Sequence, residues 1–252
     1  MPPGRHGALT ARFADGAAAA VAVGAGPLEL VPTRLSRVCA QVLGADGAGI
    51  GLLNHDFRVP LGASDDDSAA VERLQFTLGE GPCWQAVHEG APIAADADEI
   101  ARRWPVFSDA LRGLRSFRSL ASVPVRLDRG VVGALDLYFV SPTGAGSLGA
   151  DDGAHVAELL AGVLDNVADT SSPTADGSRV TPDLYGPRWA AGPSAARRIT
   201  VWIAAGMLMH AGCTADDAVA RIRAAATSTG RSLDDVAADL VGRRMPVEQL
   251  LS

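Results

Sequence analysis

The chain has 252 residues, a formal net charge of −7, 20% charged and 48% hydrophobic residues, enough for one or two domains with cores of their own. All 22 cationic side chains are arginine, which excludes Schiff-base lysine chemistry, a P-loop lysine and a kinase lysine. The acid balance excludes a molecule that is basic throughout, but not a small basic module within it. Three widely spaced cysteines, Cys39, Cys83 and Cys213, contain no C-x-x-C, so they describe no disulfide framework and point to a reducing cytoplasm.

Residues 1–26 carry Arg5, Arg12 and an alanine-rich run, with no signal-peptide pattern, and read as a disordered or loosely helical leader. No apolar run approaches the ~20 residues of a membrane span. From Pro27 to Leu43 the residues Leu28, Val31, Leu35, Val38, Cys39 and Val42 fall at helical spacing, stopped by Gly44. Ala48 to Leu53 and Arg58 to Leu61 form a hairpin candidate around Asn54-His55-Asp56. The acidic Asp65-Asp66-Asp67 reads as a solvated loop tip. Gly81-Pro82 opens a helix that ends at Gly90. A short strand at Ala91–Ala95, a helix at Trp104–Leu114, two strands at Phe117–Leu127 and Val131–Val140, and a helix at Asp151–Val167 complete an α+β layout with an antiparallel sheet.

Residues 170–195 are rich in glycine, proline and serine without a period, a linker between a domain at 27–169 and a module at 196–252. Charge divides at the same place: 15 Arg against 23 acidic residues up to 195, and 7 against 6 afterwards. The last module is three helices by pattern. Arg197–Ala211 carries two apolar stripes, Ile199, Trp202, Ile203, Gly206 and Met207 on one and Val201, Ala205 and Leu208 on the other. Two stripes predict two partners, by self-association or by docking on the preceding domain. Thr214 and Ser232, each followed three residues later by Asp, resemble capping boxes for the second and third helices.

Motifs for enzymatic chemistry are weak. Gly144 to Gly149 fits G-x-G-x-x-G with Asp169 further on, but the helix after it runs into the linker, so a flexible strand-to-helix loop is the better reading. His6, His55, His88, His155 and His210 lack metal-ligand spacing and there is no G-x-S-x-G elbow; no catalytic residues, no metal and no required cofactor are expected. Cys83, at a helix start, is a candidate redox residue, with structural packing as the alternative. Phe76, Trp84, Trp104, Phe107 and Phe117 are candidates to line a small-molecule pocket, or else ordinary core.

Two family resemblances follow. ERLQFTLGEGPCWQAVHEGAPIAADADE from Glu72, with LGADGAGIGLL before it and SVPVRLDRGVVGALDLYF after it, resembles a GAF domain of the actinobacterial kind. Ala204, Gly206, Leu208 and Met209, then Thr214, Asp217, Ala218, Arg223 and Ala226, then Arg231, Leu233, Val236 and Ala237 resemble an ANTAR domain. The resemblance implies a GAF-type antiparallel sheet flanked by helices, followed by a three-helix ANTAR bundle, with Ala204, Gly206, Met209, Ala218, Ala226 and Ala237 as its motif. It implies a transcription antitermination regulator whose GAF part senses a small ligand or partner. Its ANTAR part binds RNA stem-loops in nascent transcripts, and the chain forms a homodimer through the first ANTAR helix. The cysteine and histidine pairing of bilin-binding GAF domains is absent. Arginine bonds phosphate in a fork and stacks on bases, so Arg197, Arg198, Arg223, Arg231, Arg243 and Arg244 are the candidate RNA contacts; they could instead pair with Asp216, Asp217, Asp234, Asp235 and Asp239 on solvated faces. The alternative function is a ligand- or redox-sensing GAF module, through Cys83, whose helical tail serves only dimerisation or protein association.

Overall fold

A computed structural model describes residues 4–251 except 23, 55–56, 115, 128–129 and 171–192; most of the expected linker lies outside the described residues. Five strands, β1 (Gly47–Asn54), β2 (Phe57–Ala63), β3 (Ile93–Ala95), β4 (Ser119–Leu127) and β5 (Gly130–Phe139), form one antiparallel sheet in the order β2-β1-β5-β4-β3. The period of two sends Ala48 and Ile50 of β1 to one face and Gly47 and Gly49 to the other. On the first face α1 (Arg5–Val21), α2 (Val31–Leu43) and α7 (Ala150–Thr170) share a core with Leu135 and Leu137. On the second, α3 (Asp66–Leu78), α4 (Pro82–Glu89), α5 (Ala97–Arg103) and α6 (Pro105–Leu114) close over Leu120 and Tyr138.

The expected leader is a packed helix. Leu9, Phe13, Ala17 and Ala20 of α1 are buried against α2 and α7. Arg5 pairs with Asp152 at 2.5 Å, and the His6 ring stacks on His155 with centroids 4.8 Å apart. A second difference is α3, which has no counterpart among the predicted elements. Asp65, assigned to a loop tip, is its N-cap, with Oδ1 accepting the Ser68 N–H at 2.8 Å, and Asp66 and Asp67 occupy the first turn, where acids suit the helix dipole. Burial works against the Asp65 carboxylate, but hydrogen bonds from Ser64, Ser68 and Asp67 outweigh it and hold its pKa below the ordinary value. A third is α5, capped by Asp96 through the Glu99 N–H at 2.7 Å.

The Gly144–Gly149 segment is a 3₁₀ turn (Gly144–Ser147) leading into α7, and Ala145 N–H donates to Ser119 Oγ at 3.0 Å. It is a bound turn, not a flexible loop. With every strand pairing antiparallel, it borders no parallel crossover of the kind that holds a dinucleotide.

The C-terminal helices are α8 (Pro193–His210), α9 (Ala215–Thr229) and α10 (Leu233–Val241). Thr214 Oγ1 accepts the Asp217 N–H at 3.2 Å and Ser232 Oγ accepts the Asp235 N–H at 3.1 Å, as the spacing predicts. Val201, Ala204, Ala205 and Leu208 of α8 turn inward onto Ile222, Val236 and Leu240, while Ile199, Trp202, Ile203 and Met209 stay exposed. The bundle packs on the sheet domain, α9 against α3 and α8 against edge strand β2. Among the described residues no helix is long and apolar enough to cross a membrane.

Candidate functional site

Between α3 and the sheet lies a buried polar network. Glu72 and Gln75 project from α3, while Ser122 of β4 and Asp136 and Tyr138 of β5 point toward them; all five are buried. The Tyr138 hydroxyl bonds Glu72 Oε1, Ser122 Oγ donates to Asp136 Oδ1 at 2.5 Å, and Gln75 Nε2 reaches Asp136 Oδ2 at 3.4 Å. Gly49 provides the room. A Cβ there would stand 1.9 Å from Glu72 Oε1. Buried polar groups of this kind are costly unless bonded, and none of the five stood out in the sequence. The available signals were an acid inside the apolar strand GALDLYF and the glycine alternation in GAGIG.

The five residues GEGPC each have a mechanical task at the end of α3. Gly79 caps it at φ +70°, and Glu80 Oε1 accepts the N–H of Phe107 in the first turn of α6 at 2.8 Å. Gly81, at φ +128°, lies where a Cβ would meet Gln75 Oε1 at 2.7 Å. Pro82 starts α4, and the Cys83 N–H donates to Gln75 Oε1 at 3.1 Å. Cys83 has no solvent exposure, the setting of an inert, packed thiol. Trp84 is half-buried and its indole N–H donates to the Gln75 carbonyl at 3.1 Å.

Of the other aromatic candidates, Trp104, Phe107 and Phe117 share the core beneath α3 to α6, and Phe117 stacks on Tyr138 with centroids 5.2 Å apart. A cleft of about 470 Å³ opens beside them, lined by Ile100, Leu111, Phe117, Ser108, Arg112 and Arg118; that volume suits a small ligand. Phe76 belongs elsewhere. Although it is on α3, it packs in the apolar core of α8 to α10 with Leu208, Ala226 and Leu233.

The candidate RNA residues separate into groups. Arg223 is half-buried, with Nε donating to the Thr77 carbonyl at 3.0 Å, and burial pushes its pKa down. Arg231 and Arg244 both bond Asp239, at 2.6 Å each, and hold that carboxyl below its usual range. Of the expected aspartate partners it is Asp239 that these two take. Arg243 is exposed at φ +55°, and Arg197 is exposed; the Arg198 side chain lies outside the described residues. In the ANTAR motif Ala204, Ala218, Ala226 and Ala237 are fully buried, where a small side chain lets helices approach closely. Gly206 and Met209 are on the exposed side of α8.

A sheet with helices on both faces, GEGPC at the α3–α4 corner and a docked three-helix tail define an α+β domain joined to a small helical module. The GAF domain family model matches residues 27–170 and the chain belongs to that family; the ANTAR domain model matches residues 194–241. No curated protein sequence matches the chain. Among solved structures it is similar to the GAF domain of a phosphoenolpyruvate-protein phosphotransferase (ptsP) from Coxiella burnetii, at 15% identity over 66% of this chain and 98% of that one, TM-score 0.48. The corresponding Acinetobacter GAF domain gives 14% identity over 66% and 97%, TM-score 0.45. Free methionine-R-sulfoxide reductase from Neisseria meningitidis, in complex with its substrate, gives 15% over 66% and 93%, TM-score 0.42.

Proposed function

We propose that the chain is a non-enzymatic, signal-responsive transcription antitermination regulator in the cytoplasm. Its GAF domain takes a small ligand or partner and its ANTAR bundle binds RNA stem-loops of nascent transcripts. The observation that carries the RNA reading is the match of residues 194–241 to the ANTAR domain. At the end of that segment the Asp239 carboxylate bonds Arg231, within the match, and Arg244, just beyond it. Arg243, next to Arg244 in sequence, is exposed and adds a cation at this end of the bundle. Its left-handed conformation belongs to the end of α10, where the Arg243 N–H donates to the Leu240 carbonyl and the Arg244 N–H to that of Asp239.

The cleft lined by Phe117, Arg112 and Arg118 is the candidate ligand entry. Its apolar wall favours a hydrophobic body, and of its charged lining Arg112 pairs with Asp109, while Asp98 and Arg118 offer an acceptor and a donor to a polar group. The exposed stripe of α8 is the candidate dimer face. Complete burial of Cys83 and the tight bonding of its turn weigh against the redox alternative.

The test is binding of the full chain to an RNA hairpin across a salt series. Arg231→Ala, Arg243→Ala and Arg244→Ala should each lower affinity by about tenfold, roughly 1.4 kcal/mol, and reduce the salt slope by about one phosphate contact. Unchanged affinity in the triple variant removes the RNA site from this cluster.

A further inference from the structure

The joint between the two halves is made of helix ends that complete one another. The last four carbonyls of a helix and the first N–H groups of the next lack partners within their own helices. Here the Thr77 carbonyl in the last turn of α3 accepts Arg223 Nε at 3.0 Å, a cation at the negative end of that helix. In return, Thr77 Oγ1 accepts the N–H of Leu233, the first residue of α10, at 3.3 Å. Phe76 enters the apolar core of the bundle. Gly79 leaves space for the clamp, since a Cβ there would lie 2.8 Å from the guanidinium carbon of Arg223.

One residue earlier, Gln75 ties the same turn to the sensor core through Asp136, Cys83 N–H and the Trp84 indole. Four residues before Phe76, Glu72 bonds Tyr138, on which Phe117 of the cleft wall stacks. The last turns of α3 therefore touch the sensing side and the output side at once.

We propose that this docked arrangement is an autoinhibited state, in which the Thr77 carbonyl holds Arg223 through Nε and keeps its guanidinium in the joint, away from an RNA phosphate that it would otherwise engage. Displacement of the α3 C-terminal turn from the sensor side releases Arg223 and the bundle for RNA. The proposal rests on the RNA-binding reading above. A carbonyl is a weaker acceptor than a phosphate oxygen, so a freed guanidinium gains a charge-assisted partner. Apparent affinity is reduced by the fraction of molecules in the competent state. With one molecule in about a hundred undocked, release tightens RNA binding by up to about 100-fold.

The experiment compares the full wild-type chain with Phe76→Glu, which puts a charge in the joint, and Thr77→Val, an isostere that removes only the acceptor for Leu233. Gln75→Ala loosens the turn from the sensor side without touching the bundle. Each is read twice, by hydrogen exchange of the Leu233 amide and by affinity for an RNA hairpin. Supporting results are a Leu233 amide protected in the wild type, exposed in the variants, and hairpin affinity rising at least tenfold in Phe76→Glu and in the same direction in Gln75→Ala. Thr77→Val guards against misfolding of the bulkier change and should show a smaller rise. An unprotected Leu233 amide in the wild type overturns the docked state. Lost protection with hairpin bound equally by wild type and variants overturns the inhibition and leaves the RNA reading standing. Lost protection with no RNA bound by any form overturns the RNA reading and the inference with it.

Discussion

Cys39 has no solvent exposure in the core between α2 and the sheet, and burial pushes its thiol from 9.0 up to about 12. The folded state therefore keeps the neutral thiol where the unfolded chain would ionise. Its contribution to stability is complete below about pH 9 and is lost as pH rises from there toward 12. Stability against urea should fall across that interval. Cys39→Ala, less stable at neutral pH because it leaves a cavity, should show a shallower fall, the two slopes differing by up to about 1.4 kcal/mol per pH unit. Parallel slopes would mean that the thiol meets water in the folded state. The sequence places Cys39 on an apolar helical face, and the burial follows from that. Its absence as a candidate site residue agrees with the chemistry of a thiol that stays protonated.

At the scale of elements, apolar period made most of the fold legible and failed where polar side chains fill the inside of a helix. The strands and α4, α6, α7 and the C-terminal helices carry their hydrophobic residues toward a core, so their spacing speaks directly. α3 does the reverse, burying Ser68, Glu72, Gln75 and Thr77, and its apolar stripe is interrupted by the residues that form the buried polar network and the joint. Its start was written in Asp65 followed by Ser68, a capping signal that lies within a run of acids easily taken for a solvated tip. α1 escaped because its inward face is half alanine. The arginines were legible as residue types, but their division between Thr77 and Asp239 depends on tertiary contacts that spacing does not encode. GEGPC was legible as a motif but not as mechanics, and Glu80 supplies a test. Its carboxylate caps α6 from another segment, so Glu80→Ala should cost about 1 kcal/mol and lower the melting temperature by about 2–4 °C. Calorimetry that finds no change would show that another acceptor takes the Phe107 N–H.

Over the whole molecule, α8 has three directions to satisfy. Val201 and Leu208 face the bundle core, β2 of the GAF domain lies alongside, and the stripe of Ile199 (39% exposed), Ile203 (49%) and Met209 (47%) faces outward. Exposed apolar stripes of this kind mark association surfaces, and a stripe along one helix is self-complementary about a two-fold axis, so each side chain counts twice in the contact. Burying an isoleucine contributes roughly 1.5–3 kcal/mol. Ile203→Glu removes that twice and adds two like charges, so dimer dissociation should strengthen by at least about 100-fold. Sedimentation at a concentration where the wild type is dimeric should find this variant monomeric, with unchanged helix content because Ile203 supports no core. The consequence for RNA separates this face from the arginine cluster. In a dimer the second hairpin of a linked pair binds at high effective concentration. Ile203→Glu should therefore abolish the advantage of paired over single hairpins and leave single-hairpin affinity intact, whereas Arg244→Ala weakens both. A monomeric wild type, or a variant that keeps the paired-hairpin advantage, would remove α8 from the dimer interface.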